Sequence, residues 1–158
     1  MDIMEINDNT LEWDLIPVLL SKSLKLLYQK SASVLKPYGL SSAHAMFLVV
    51  LSKSDDGLTL TEISESLSVD KAQTTRMVSD LEKKEYAFKN KKHSFSRNYK
   101  ILLTKEGKIA ANDVKKTLSE LSKKVFVTCV DQNDKDVFLK NITKIIRYIK
   151  SDDVPSYK

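Results

Sequence analysis

The sequence predicts a mostly α-helical protein with one small β wing, and three observations carry that expectation. Glycine and proline are scarce, at three each in 158 residues, which favours long helices over a many-turned β sandwich. Apolar residues recur at helical spacing along most of the chain. Only between Glu85 and Thr104 does the apolar period shorten to two, as in a hairpin.

Taken in order, Leu15 to Leu35 carries Ile16, Leu19, Leu20, Leu24, Leu27 and Val34 on one helical stripe. Asp14 stands at its N-cap, Pro17 falls in the first turn where a missing N–H is harmless, and Lys36-Pro37-Tyr38-Gly39 ends it. Ser41 or Ser42 caps the next helix, whose Ala45–Leu51 run is apolar all round and should be buried. Asp55-Asp56-Gly57 reads as a turn. Thr59-Leu60-Thr61-Glu62 is a capping box with Leu60, Ile63 and Leu67 behind it. A second box, Asp70-x-x-Gln73, opens a helix over about 70–84 that turns Thr74, Met77 or Val78, and Leu81 inward. Two short capped helices joined by a tight turn form a helix-turn-helix candidate.

The wing follows over about 86–103. Tyr86 and Phe88 alternate with Ala87 and Lys89, then Tyr99, Ile101 and Leu103 with Lys100 and Leu102, around a basic tip at Asn90–Asn98. Thr104 caps a long helix through Ile109, Ala110, Val114, Leu118, Leu121 and Val125, and Asp131 caps a last one ending near Ile149. Three regions result: an N-terminal helix (1–40), a winged helix-turn-helix (41–104) and C-terminal helices (105–158). The apolar stripes of the first and last regions need cover. A second copy of the chain would supply it, or the helices fold back on the winged unit.

Charge singles out one stretch. Asp70 to Lys108 holds eleven lysines and arginines against five carboxylates, a net +6, whereas the whole chain carries +5. Positive charge concentrated on a helix and a hairpin points to duplex DNA. Lysine dominates, and two of the three arginines, Arg76 and Arg97, fall in the second short helix and the wing tip. Arginine's planar fork pairs with guanine and fits narrow minor grooves. Arg76 has a competing role as a salt bridge to Asp80, four residues on. Arg97 has one as a solvated or intramolecular clamp.

The DNA-facing set is therefore Lys71, Gln73, Thr74, Thr75, Arg76 and Ser79 on the helix, with Lys89, Lys91, Lys92 and Arg97 on the wing. Thr75 offers a hydroxyl to phosphate or a methyl to thymine. Gln73 either meets adenine or closes the box with Asp70. Thr59 is a helix cap by its box with Glu62, and Asp70 is a cap and not a reader, because a carboxylate facing phosphate is repelled.

Several motifs together resemble the MarR family of winged-helix regulators over roughly residues 10–150. They are Leu60-Thr61-Glu62-Ile63, Leu67-Ser68-Val69-Asp70, Thr75-Arg76-Met77-Val78, Leu81-Glu82-Lys83-Lys84 and Leu102-Leu103-Thr104-Lys105-Glu106-Gly107. The sequence departs from that family twice. Glu85 stands where glycine usually follows the recognition helix, and Phe95 occupies the aspartate position of the wing Asp-x-Arg that Arg97 completes. The resemblance implies a homodimer joined through its N- and C-terminal helices. Recognition helices would enter successive major grooves of a pseudo-palindromic operator, with wings in the flanking minor grooves. It also implies a repressor released by a small phenolic or lipophilic effector.

Other chemistries find little support. His44 and His93 show no nucleophile or metal-ligand spacing, there is no phosphate-cradling glycine loop, and neither metal nor cofactor is expected. His44, heading the apolar helix, reads as a hydrogen-bonded core residue, and Cys129 as an inert packing residue. The longest apolar run is far short of the ~20 residues a membrane span needs. An acidic N-terminus without a signal-peptide pattern and a single cysteine fit the cytoplasm. Two rival functions stand beside DNA binding: a winged helix used for protein contact, and a small-molecule sensor whose DNA binding has decayed.

Overall fold

A computed structural model describes residues 13–90 and 99–151. The chain divides into two compact units after Leu118.

The first unit begins with α1 (Leu15–Ser31), which continues as a 3-10 helix over Ala32–Tyr38. The single helix expected to Leu35 is therefore tightened in its last turns. Pro37, which has no N–H to continue an α-helical ladder, lies within this last stretch. Gly39 closes the segment at φ +62°, with Leu40 N–H returning to Leu35 O at 3.2 Å. Asp14 occupies the N-cap of α1 but makes no side-chain cap hydrogen bond.

Helix α2 (Ser42–Leu51) is the centre of the core: His44, Ala45, Phe47, Leu48 and Leu51 are all buried. Helix α3 (Leu60–Leu67) starts on the expected box, where Glu62 accepts from Thr59 N–H at 2.7 Å and Thr59 Oγ1 accepts from Glu62 N–H at 3.2 Å. Those bonds hold the Glu62 carboxyl below its ordinary value of 4.5. Ser68 ends α3 in the left-handed region at φ +52°, making the tight turn into α4 (Lys71–Lys83).

Strands β1 (Ala87–Asn90) and β2 (Lys100–Leu103) pair antiparallel with Ala87 opposite Leu103. Leu58 adds a one-residue bridge to Ile101, with N–H···O distances of 3.0 and 2.7 Å. The preceding Gly57 sits at φ +77°, and a Cβ there would lie 2.6 Å from a Leu102 methyl. In β1 the inward residue is Ala87, while Phe88 is 44% exposed. The alternation expected to place Phe88 with Tyr86 is thus resolved by register: Ala87 faces the same side as buried Leu103.

Helix α5 (Lys105–Cys129) opens on Thr104, whose Oγ1 accepts from Gly107 N–H at 3.0 Å. Gly107 is where α5 meets the wing base: a Cβ there would sit 2.0 Å from the Tyr86 carbonyl oxygen. The buried set of this unit includes Leu35, Ala110, Ala111 and Val114 as well as residues of 41–104. The winged segment thus shares its core with the helices on either side of it.

The second unit holds the end of α5 and α6 (Gln132–Ile149). Asp131 is the N-cap of α6 by position, again without a side-chain bond. Phe126 and Phe138 meet edge to face at 5.1 Å. Val127, Val137, Ile145, Ile146 and Ile149 are exposed. No single helix among the described residues is long and apolar enough to cross a membrane.

Candidate nucleic-acid interface

Helix α4 exists because its two faces differ. Thr74, Val78 and Leu81 are buried at spacings of four and three, so one side is fixed to the core. Asp70 Oδ1 accepts from Gln73 N–H at 2.7 Å, capping the first turn. The opposite side turns Lys71, Ala72, Thr75 and Arg76 outward, with Gln73 and Ser79 half-buried at its margins.

The expected residues separate once placed. Arg76 and Lys71 have no side-chain partner among the described residues. The Asp80 carboxylate, the competing partner foreseen for Arg76, instead meets His44 Nε2 at 2.7 Å. The Gln73 side chain does not return to Asp70, so the capping-box reading of Gln73 falls and its amide stays available. Thr75 is exposed, and its Oγ1 donates to Lys71 O at 2.8 Å, which engages its proton and leaves the oxygen able to accept.

Thr74 is a correction. Its side chain is 0% exposed and its hydroxyl donates to Asp70 O at 3.0 Å, so it belongs to the core and not to the DNA-facing set. Four residues from Val78 on the inward stripe, it cannot also reach a groove.

Lys89 is engaged within the protein. Its ammonium lies 2.9 Å from Glu82 and 5.1 Å from the centre of the Tyr99 ring. The Glu82 hydrogen bond pushes the Lys89 amine above its ordinary range. Lys89 therefore ties β1 to α4, and its charge is largely answered within the protein. Lys91, Lys92, His93, Phe95 and Arg97 lie outside the described residues.

The end of α4 explains the first family departure. Glu85 takes φ +63°, and two bonds close a Schellman turn around it: Glu85 N–H to Glu82 O at 3.0 Å and Tyr86 N–H to Leu81 O at 2.9 Å. A glycine-type conformation is thus kept with a glutamate in it.

The long-range polar contacts leave no local pattern in the sequence. His44 is a hydrogen-bonded core residue as its place on α2 suggests, and its partner, Asp80, lies 36 residues away. Tyr38 hydroxyl donates to Asp113, and Tyr86 hydroxyl donates to Tyr38 O at 2.8 Å. The bond to Asp113, then burial, raises the Tyr38 phenol above its usual range. These join the 3-10 helix, the wing base and α5.

A capped helix pair leading into a two-stranded wing, with the second helix presenting a cationic face, defines a winged helix-turn-helix protein. The MarR family model matches residues 38–91, from the end of the 3-10 helix through α4 and β1. Among curated relatives, the transcriptional regulator SarZ of Staphylococcus epidermidis is 31% identical over 104 residues, 66% of this chain and 67% of its own. The transcriptional regulator BilQ of Clostridioides difficile is 30% identical over 132 residues, 84% of this chain and 85% of its own.

Two solved structures share the fold at low identity. Staphylococcus aureus MepR in complex with DNA superposes with a TM-score of 0.72 at 18% identity, covering 88% of this chain and 99% of that one. CouR of Rhodococcus jostii bound to p-coumaroyl-CoA gives 0.66 at 19%, covering 89% and 95%. The chain belongs to the MarR family of transcriptional regulators, which are DNA-binding proteins and not enzymes.

Proposed function

We propose that the chain is a homodimeric repressor that reads a pseudo-palindromic operator with α4 and releases it on binding a small phenolic or lipophilic molecule. The observation carrying this reading is the outward face of α4, where Lys71, Gln73 and Arg76 have no side-chain partner among the described residues while the inward face is fixed. In the major groove, Arg76 forks to guanine O6 and N7 and Gln73 pairs with adenine. Ser79 and Thr75 flank them, and Lys71 lies near the helix N-terminus, where phosphate is favoured. Lys91, Lys92 and Arg97 supply wing contacts to phosphate or the minor groove.

Dimerisation is supported by exposed apolar side chains at both ends of the chain: Val18, Leu20, Leu24 and Leu26 on α1, and Val137, Ile145, Ile146 and Ile149 on α6. Monomers rarely leave so many uncovered. Two recognition helices then address half-sites about one helical turn apart. MepR solved with DNA and CouR solved with p-coumaroyl-CoA support the two ligand classes.

The test is fluorescence anisotropy with a duplex recovered from a random-sequence pool by the chain itself. Binding by a species that sediments as a dimer is expected. About six phosphate contacts per dimer give a log–log salt slope of about −5. A chain that recovers no duplex, or binds without salt dependence, contradicts the reading.

A further inference from the structure

We propose that His44 is a positioning residue for recognition: it holds the Asp80 carboxylate away from Arg76 and so keeps the guanidinium free for a base. The proposal rests on the reading of Arg76 as a DNA contact. Arg76 and Asp80 stand four apart on α4, the spacing at which an arginine and a carboxylate meet on a helix surface. In this structure they do not pair. Asp80 Oδ2 lies 2.7 Å from His44 Nε2, and Arg76 has no partner among the described residues.

The imidazole is set from both sides. Its Nδ1 accepts from Ser41 N–H at 3.0 Å and lies 2.8 Å from Ser41 Oγ, at the N-terminus of α2. A nitrogen that accepts an N–H carries no proton, so the ring proton sits on Nε2, aimed at Asp80. The two partners also differ in freedom. The His44 side chain is 8% exposed and the Asp80 side chain 43%, so the ring is the fixed post and the carboxylate the part able to turn.

Without the imidazole, Asp80 loses its donor in the core and turns to the nearest cation on its own helix, Arg76. Every binding event must then break that ion pair before the guanidinium reaches a base. The released carboxylate also adds repulsion toward phosphate.

The experiment measures affinity for the duplex that the wild-type chain recovers from a random pool, with thermal melts run on each variant. His44→Leu removes both ring contacts. His44→Asn keeps an acceptor for Ser41 N–H but is too short to reach Asp80. Each is expected to weaken binding about three- to fivefold, one i,i+4 ion pair broken at each of two half-sites. Adding Asp80→Ala to either should restore affinity to within about twofold of wild type, a rescue that a purely structural role of His44 would not give. In an Arg76→Ala background the His44 substitutions should cost nothing more. His44→Gln, whose amide offers both an acceptor and a donor, should bind as wild type does.

Persistent weakness after Asp80→Ala overturns the proposal, as does wild-type affinity in both His44 variants or failure of both to fold. If Arg76→Ala itself binds as tightly as wild type, or no duplex is recovered, the DNA-reading assignment fails first and takes this inference with it.

Discussion

Replacing Glu85 by glycine is expected to stabilise the protein by about 0.5–1 kcal/mol through its backbone alone. At φ +63° the glutamate Cβ crowds its own backbone. That conformation costs an L-residue about 1–2 kcal/mol, and glycine returns about 0.5–1 of it through its freer unfolded chain. Nothing else is lost, since the Glu85 side chain is exposed and has no partner among the described residues. Both Schellman bonds use backbone atoms and survive the change. A further few tenths of a kcal/mol comes from removing an anion at the C-terminus of α4, where the helix dipole disfavours it.

Glu85→Ala separates the two effects, because alanine removes the charge and keeps the Cβ. The assay is thermal or urea unfolding at one fixed protomer concentration, since dimerisation would make stability concentration-dependent. The backbone part corresponds to a Tm rise of about 1–4 °C for a chain of this size. If Glu85→Gly is no more stable than Glu85→Ala, the account of this turn is wrong.

Gly107→Ala should do the opposite, destabilising by about 1–3 kcal/mol, because its Cβ would collide with the Tyr86 carbonyl and force α5 off the wing base; unfolding within 0.5 kcal/mol of wild type (roughly the noise of such comparisons) would refute that contact. Glu62 stabilises α3 fully above its unfolded value of 4.5, and that contribution disappears as pH falls through its lower folded value. Stability profiles of wild type and Glu62→Ala should therefore converge below that point and diverge above it, and parallel profiles would contradict the cap. Glu82→Gln releases Lys89 from its clamp. The salt slope of DNA binding should steepen by about 1–2 for a dimer as the freed ammonium reaches phosphate, whereas an unchanged slope would show that Lys89 has no phosphate within reach.

Local chemistry was legible in the sequence. Thr59 with Glu62, and Asp70 with Gln73, are caps whose partners lie within one turn, so spacing alone identifies them. The long apolar stripes, the break at Gly39 and the start of α5 at Thr104 were equally local. What stayed hidden depends on distance along the chain. His44 and Asp80 are 36 residues apart, and Tyr38 and Asp113 are 75 apart. No period or motif joins such pairs.

The one-residue strand at Leu58 is too short to leave a pattern. A four-residue β1 gives too few alternations to decide between Ala87 and Phe88, so sheet register decided it. At the site, helical spacing and side-chain polarity point opposite ways for Thr74. The inward stripe it shares with Val78 and Leu81 is the reading that holds, and the hydroxyl that suggested a groove contact bonds Asp70 O instead.

If the outward face of α4 reads base pairs, removing Arg76 changes which base pairs the protein prefers. The measurement is the affinity of wild type and Arg76→Ala for the recovered duplex and for its single-base-pair variants at one salt concentration. Arg76→Ala is expected to lose about 1–3 kcal/mol and to become indifferent to the base at one position in each half-site, while keeping its preferences elsewhere. An Arg76→Ala profile superimposable on that of wild type would contradict it.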